Sequence, residues 1–369
     1  MALSPITSGE EFNFSSEQTT LLIFLPCRMW KKLTICEGPF THTPWVVNDA
    51  TFRLLPYAQL PFTNLKELEL GSFRARSSYE IDNASLSHFL KKNPMLETLT
   101  LIGISFNHLT EPLELLSSLE EHASFHTLGL ISLLFKDPFG RFETTDFLSG
   151  RPADGHLSQP RLRALTFQNP DDRILDALFV QPNSVFDLSE LEVLDLSTNL
   201  PTQDFEDEEE RGQDSWIPAC CRSSLVQLDL DIRDFLWTGV TFRDLSRYLQ
   251  HLNRLERFGL KGLVLSHGWA HQISFIVTMI PALPASLRYI TLRADIRFPA
   301  LFDQLYKLDD ALSDVPGCTN LKEIKVILGF RFSDSGEVHV EHVEHLFPKC
   351  KEKGLSIVVE KAKRRPHLC

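Results

Sequence analysis

The chain has 369 residues, with 49 acidic and 37 basic side chains and a formal net charge of −12. This balance argues against a general nucleic-acid binder, whose footprint is a cluster of Lys and Arg. Hydrophobic residues make up 43% of the chain, which excludes a disordered acidic protein. Leucine accounts for 59 residues without forming a long apolar run, and this excess indicates sequence repeats rather than a membrane protein.

Targeting signals and cysteine spacing bear on the compartment. The first residues contain no basic segment followed by an apolar core, so no secretory signal peptide is predicted. The seven cysteines are scattered and include no Cys-x-x-Cys pair, which disfavours a disulfide framework and a zinc module. We therefore expect a cytoplasmic or nuclear protein that is not secreted, with no membrane partner, no nucleic-acid partner and no cofactor.

One pattern, L-x-x-L-x-L, recurs along almost the whole chain. Its first positions lie 29 to 37 residues apart, a spacing too regular for chance. In chain order the copies are WKKLTI (30–35), LKELEL (65–70), LETLTL (96–101), FHTLGL (125–130), LRALTF (162–167), LEVLDL (191–196), LVQLDL (225–230), LERFGL (255–260), LRYITL (287–292), LKEIKV (321–326) and EKGLSI (352–357).

Each copy alternates apolar and polar residues, which predicts a strand with one buried face. Such a strand cannot bury its face alone, whereas stacked neighbours can, and a parallel sheet results. Parallel strands need crossover connections, and the segments between copies carry helical periodicity. The capping-type residues Asn83, Thr110 and Asp171 precede three of these segments. The predicted helical segments are 85–90, 113–119, 174–180, 242–252, 271–280, 298–312 and 338–347.

The copies resemble leucine-rich repeats over roughly residues 30–360. The resemblance implies an α/β fold, a leucine-rich-repeat solenoid or horseshoe with a concave parallel β-sheet, convex helices and about ten to eleven irregular repeats. Only LEVLDLSTN ends with the Asn of the common consensus, at Asn199, so no continuous Asn ladder is expected. The long, uneven units, and phrases such as LPFTNLKELELGSF (60–73), are similar to the repeat regions of fungal F-box/leucine-rich-repeat proteins.

We expect three parts: an N-terminal lead-in at 1–29 that is partly disordered, the solenoid at 30–360, and a basic tail at 361–369. Two insertions, at 136–159 and 203–215, interrupt the repeat rhythm. The second holds seven acids and one Arg. A run of like charges repels itself and stays solvated, so we interpret it as a surface loop. The alternative is an electrostatic contact for a basic partner.

One group of histidines has the spacing of a metal site. His339, His342 and His345 in VHVEHVEHLF share about one third of a helix circumference. The segment is neither HExxH nor HxxEH, and we interpret it as the polar face of the last convex helix. No G-x-S-x-G, phosphate-loop or G-x-G-x-x-G motif is present. We predict a protein that is not an enzyme and holds no metal; a metal-binding protein is the alternative.

The exposed strand positions form the candidate site. In each copy the residue between the second and third apolar positions faces away from the core. We predict that a partner protein binds the concave face at three such residues, at Asp231 just after one copy and at Tyr289, which precedes the second apolar position of its copy, with the acidic loop 206–210 nearby. The patch is acidic and should attract a basic segment, with an aromatic anchor from its tyrosine. The alternative is that these are ordinary polar residues on a wet strand face. The five residues are Thr166, Asp195, Asp229, Asp231 and Tyr289.

The predicted function is a protein-interaction scaffold. The fungal resemblance implies a specific version, a substrate receptor of an SCF-type ubiquitin ligase, in which an F-box before the repeats docks the Skp adaptor. No convincing F-box is found in 1–29, where Leu25-Pro26-Cys27 is the nearest fragment. The alternative is a stand-alone repeat protein without a ligase role, for example a GTPase regulator.

Overall fold

A computed structural model of the chain describes residues 12–13, 31–37, 62–72, 79–108, 110–136, 159–168, 185–197, 221–231, 246, 249–265, 270–296, 305–314, 320–330, 343 and 345–362. The chain divides into two compact units. The first comprises Met1–Glu190 with Pro366–Cys369, and the second comprises Leu191–Arg365.

The described part of the first unit contains two parallel sheets. The main sheet has the order β1-β2-β3-β5-β7-β9, and a small sheet has the order β4-β6-β8. Two helices, α1 (Asn83–Lys91) and α2 (Thr110–Ser117), lie in the crossovers. The strands are β1 (Phe12–Asn13), β2 (Lys32–Glu37), β3 (Glu67–Ser72), β4 (Tyr79–Glu80), β5 (Thr98–Ile102), β6 (Ile104–Phe106), β7 (Thr127–Ile131), β8 (Leu134–Phe135) and β9 (Ala164–Gln168).

The described residues of the second unit form six parallel strands in chain order, β10 to β15. The strands are β10 (Val193–Ser197), β11 (Gln227–Asp231), β12 (Arg257–Leu265), β13 (Tyr289–Ile296), β14 (Glu323–Phe330) and β15 (Ser356–Lys361). The helices are α3 (Ala270–Met279), the 3-10 turn η1 (Ile280–Ala282), α4 (Tyr306–Asp314) and α5 (Pro348–Glu352).

The repeat pattern predicts the strands well. At ten successive copies, from WKKLTI to LKEIKV, the strand begins two residues after the first position of the pattern. Within each unit these strands pair in parallel and are joined by crossovers, so the predicted leucine-rich-repeat solenoid is confirmed. The short strand β1 lies inside the predicted lead-in 1–29 and pairs with β2.

The last copy, EKGLSI, is shifted by two residues. Ile357, rather than Leu355, is the register partner of Ile324 and therefore the central residue of the strand. The cause is local: α5 ends at Glu352, and Gly354 follows with a φ of 82°. This left-handed conformation, which glycine adopts without steric cost, turns the chain before β15 begins.

The helices agree with the pattern less closely. α1, α2, α3 and α4 overlap predicted segments, while 174–180 lies outside the described residues. The N-cap of α1 is Asp82 rather than Asn83, and its side chain accepts a hydrogen bond from Ser85 N at 3.2 Å. α5 begins at Pro348, a position where proline is tolerated because the N–H that it lacks would be unpaired in the first helical turn.

The core lies on one face of each unit's sheet. The central apolar residues of the copies are register partners and are buried, and this burial is the main source of stability. In the second unit, residues of β12 and β13 surround the same apolar space as Ile276 of α3 and Leu308 of α4. The helices therefore cover the core face. The central residues are Leu33, Leu68, Leu99, Leu128 and Leu165 in the first unit, and Leu194, Leu228, Phe258, Ile290 and Ile324 in the second.

Polar side chains that precede the copies link neighbouring repeats. Asn93 is 1% exposed; its Nδ2 donates to Phe89 O at 2.9 Å, and its Oδ1 accepts from Leu65 N at 3.2 Å. Ser224 Oγ donates to Leu191 O at 2.9 Å in the second unit. Three further side chains make hydrogen-bond contacts with backbone carbonyl oxygens of the preceding repeat: His122, Ser286 and Asn320. The links made by Asn93, His122 and Ser224 satisfy buried backbone groups. Asn199 lies outside the described residues.

Residues 137–158 of the first insertion, all of 203–215, and the tail from 363 lie outside the described residues. Among the helices that are described, none is long and apolar enough to cross a lipid bilayer.

Candidate interaction surface

Four of the five predicted site residues lie in the second unit. Asp195 pairs in register with Asp229, which pairs with Gly259, and the row continues through Thr291 to Lys325. The neighbours of these residues along each strand are buried, so the row lies on the sheet face opposite the core. The structure thus brings Asp195 and Asp229 side by side.

The remaining predicted residues differ in position or exposure. Thr166 belongs to the first unit, where it is half-buried on β9 and pairs with Gly129. Asp231, at the end of β11, is only 7% exposed and offers little contact area. The loop 206–210 lies outside the described residues.

The absence of a side chain at Gly259 leaves the space that the Asp229 carboxylate occupies. A Cβ atom added to Gly259 would lie 1.8 Å from Asp229 Oδ1, so the carboxylate leans over the glycine. Asp229 Oδ2 accepts a hydrogen bond of 2.7 Å from Gln227 Nε2. A carboxylate has about four acceptor sites, so this contact leaves Asp229 able to accept further donors.

This arrangement predicts strong coupling between Gly259 and Asp229. Gly259→Ala should displace the carboxylate and break its bond to Gln227, at a cost of about 1 kcal/mol in unfolding free energy. In an Asp229→Ala background the same change should be neutral or stabilising by up to about 1 kcal/mol, because alanine fits a strand better than glycine. Denaturant unfolding of both single variants and the double variant measures the coupling; additive effects would contradict the geometry.

A lysine that the sequence prediction omitted stands among the acids. Lys261 Nζ lies 2.6 Å from Asp195 Oδ2, with side-chain exposures of 28% and 15%. Lys261 is on β12 and Asp195 on β10, so the ion pair reaches across β11, where Asp231 is the register partner of Lys261. The predicted acidic patch is therefore partly neutralised.

An irregularity in β12 lies beside Lys261. The register with β13 shifts between Leu260 and Leu263, and Gly262 has a φ of 75°. Such a bulge adds a residue to one strand and redirects a side chain. The dipeptide Lys-Gly directly after the copy LERFGL is a sequence signal for this bulge, but alternation alone does not reveal it.

Tyr289 is covered by a cation. The guanidinium carbon of Arg257 lies 4.8 Å from the centroid of the Tyr289 ring, and the two residues are register partners. This distance is within the range of a cation–π interaction. Tyr289 is half-buried, so it offers a flat surface shared with Arg257 rather than an isolated ring.

The sheet face of the second unit therefore carries both acidic and basic side chains. β10 and β11 carry the carboxylates Asp195, Asp229 and Asp231, whereas β12 and β13 carry Arg257, Lys261 and Arg293 together with one carboxylate, Asp295. At the far edge Lys325 Nζ pairs with Glu360 Oε1 at 2.7 Å.

Of the three candidate histidines, the structure describes one. His339 and His342 lie outside the described residues, and His345 is exposed. Within the described ranges, no group of three or more His, Cys, Asp or Glu side chains has a metal-binding arrangement.

No protein-family model and no curated protein sequence matches the chain. Solved structures are similar to it in parts, and two of them are described here. TLR13 in its complex with ssRNA13 shares 17% identity over 78% of the chain, with a TM-score of 0.31, and the chain spans 35% of the TLR13 chain. The leucine-rich repeat-containing protein LegL7 from Legionella pneumophila shares 13% identity over 87% of the chain and 97% of its own length, with a TM-score of 0.33.

Proposed function

We propose that the chain is a protein-interaction scaffold and that a partner protein binds the sheet face of the second unit. The supporting observation is the register row from Asp195 to Lys325, in which four of the five positions carry half-buried polar or charged side chains and the fifth is Gly259. Solenoids offer extended faces of this kind to partners, and side chains on the common frame select the partner.

The charges on this face define the partner segment. Lys261 engages Asp195, so Asp229 is the carboxylate best placed to accept a Lys or Arg of the partner. The Arg257–Tyr289 pair adds a flat surface of the kind that often anchors an interface. We therefore propose a partner segment that places a basic residue over β11. Thr166 remains a separate prediction for the first unit.

Asp229→Lys tests this proposal. In a pull-down from the native cell, the variant should recover its partners at a yield lower by about tenfold, and the difference should shrink as salt is raised. Glu352→Lys makes the same charge change on an exposed position of α5 and should leave the yield unchanged. Equal recovery by both variants would remove the sheet face as the binding surface.

A charge swap at the ion pair separates binding from stability. Asp195→Lys alone places two ammonium groups together and should destabilise the unit, whereas Asp195→Lys with Lys261→Asp restores an ion pair of reversed direction. The double variant should fold like the original chain and still lose partner. Retained binding would mean that the charge order on this face does not matter.

The finer role we propose follows the fungal resemblance: a substrate receptor of an SCF-type ubiquitin ligase. It is supported only by the style of the repeats, for example 60–73. The pull-down should then contain a Skp adaptor that persists in Asp229→Lys, because the adaptor would dock elsewhere. Partners without any adaptor would favour the alternative, a stand-alone repeat protein such as a GTPase regulator.

A further inference from the structure

The second unit contains an open cleft of about 520 Å³ on a different surface from the row of Asp195 and Asp229. Its lining includes Glu256, Arg288 and Lys322, each of which immediately precedes a strand. The cleft therefore lies along the rim of the sheet where the strands begin.

The rim positions stand side by side because backbone hydrogen bonds join them directly. Glu256 N donates to Val226 O at 2.9 Å, Arg288 N to Glu256 O at 2.9 Å, and Lys322 N to Arg288 O at 2.8 Å. Neighbouring strands lie about 4.8 Å apart, so four rim positions extend over about 14 Å. That length matches about four residues of an extended chain.

The charges of the cleft oppose those of the whole chain. Arg254, Arg288 and Lys322 are cationic, and Glu256 is the one carboxylate among the lining residues, in a chain whose net charge is −12. Arg288 Nη1 lies 3.8 Å from Glu256 Oε2, and these side chains are 47% and 39% exposed. A contact this long and exposed is weak, so the guanidinium retains donors for another carboxylate.

The polar groups between these cations are held in place. Ser286 Oγ donates to Leu255 O at 2.8 Å, and Asn320 Nδ2 donates to Ala285 O at 2.8 Å. These hydrogen bonds to the backbone of the preceding repeat therefore set the orientation of the Ser286 and Asn320 side chains. A cleft whose frame is preorganised loses less entropy on binding.

We propose that this rim cleft binds an acidic, extended segment of a partner protein, with Arg254, Arg288 and Lys322 contacting its carboxylates. The elongated outline favours a peptide over a compact oxyanion, and the net positive charge requires acidic side chains. The rim cleft would be a second binding site, which prefers acidic segments where the sheet face prefers basic ones. This proposal does not depend on the proposed function.

Fluorescence anisotropy with the full chain tests the site. The probe is a labelled peptide of about eight residues that alternates Glu and Ser, long enough to span the rim. The original chain should bind it at low salt more tightly than a peptide with Gln in place of Glu. Arg254→Glu with Lys322→Glu should weaken binding by about tenfold or more, since both side chains are exposed and their replacement spares the core.

Two controls make the result specific. Lys307→Glu with Lys353→Glu makes the same charge change at exposed positions of the second unit outside the cleft and should leave peptide binding intact. Asp229→Lys should likewise leave peptide binding intact, so the test of the rim cleft is independent of the test of the sheet face. Equal binding of the Gln peptide, equal loss in the control variant, or stronger binding of inorganic phosphate or a single-stranded RNA of matched charge would overturn the proposal.

Discussion

Replacing Leu228 with Ala is expected to lower the free energy of unfolding by about 2–5 kcal/mol. Leu228 is 0% exposed and lies between Leu194 and Phe258 in register, so its removal leaves a cavity between two neighbouring repeats. The close packing of an interior prevents the neighbours from filling such a cavity completely. Denaturant unfolding followed by circular dichroism measures the loss, and Leu194→Ala should behave alike.

A variant on the opposite sheet face provides the control. Thr291 is half-buried on β13 and faces away from the core, so Thr291→Ala should change the unfolding free energy by about 0.5 kcal/mol at most. If the leucine variants were as stable as Thr291→Ala, the assignment of core and outward faces in the second unit would be wrong.

Replacing Asn93 with Ala is expected to cost about 1–3 kcal/mol in the first unit. The substitution deprives Leu65 N and Phe89 O of their bonds to the amide, and buried backbone groups without partners are costly. Asn93→Asp distinguishes the two bonds, because it keeps an acceptor for Leu65 N but loses the donor to Phe89 O. It should therefore also destabilise the unit.

Asn320 is the matched comparison for Asn93. It makes one comparable bond, from Nδ2 to Ala285 O at 2.8 Å, but its side chain is exposed to water. Water can replace that bond, so Asn320→Ala should cost no more than about 0.5 kcal/mol. Equal effects of the two substitutions would show that burial does not decide the strength of these links.

The sequence by itself determined where the strands lie and which of their residues are buried. The alternation of apolar and polar residues is a local signal, and the repeat spacing brings equivalent positions of successive copies side by side. Leu194 and Leu228 could therefore be assigned to the core, and Asp195 and Asp229 to the opposite face. The pattern failed at EKGLSI, where Gly354 delays the strand by two residues.

Only the tertiary structure decided which side chains meet on the surface. Lys261 meets Asp195, a residue 66 positions earlier, and Arg257 covers Tyr289 from the neighbouring strand. The rim cleft likewise joins residues from four crossovers. Contacts of this kind depend on strand register and side-chain direction between copies about 30 residues apart, and a pattern read within one copy holds no information about them.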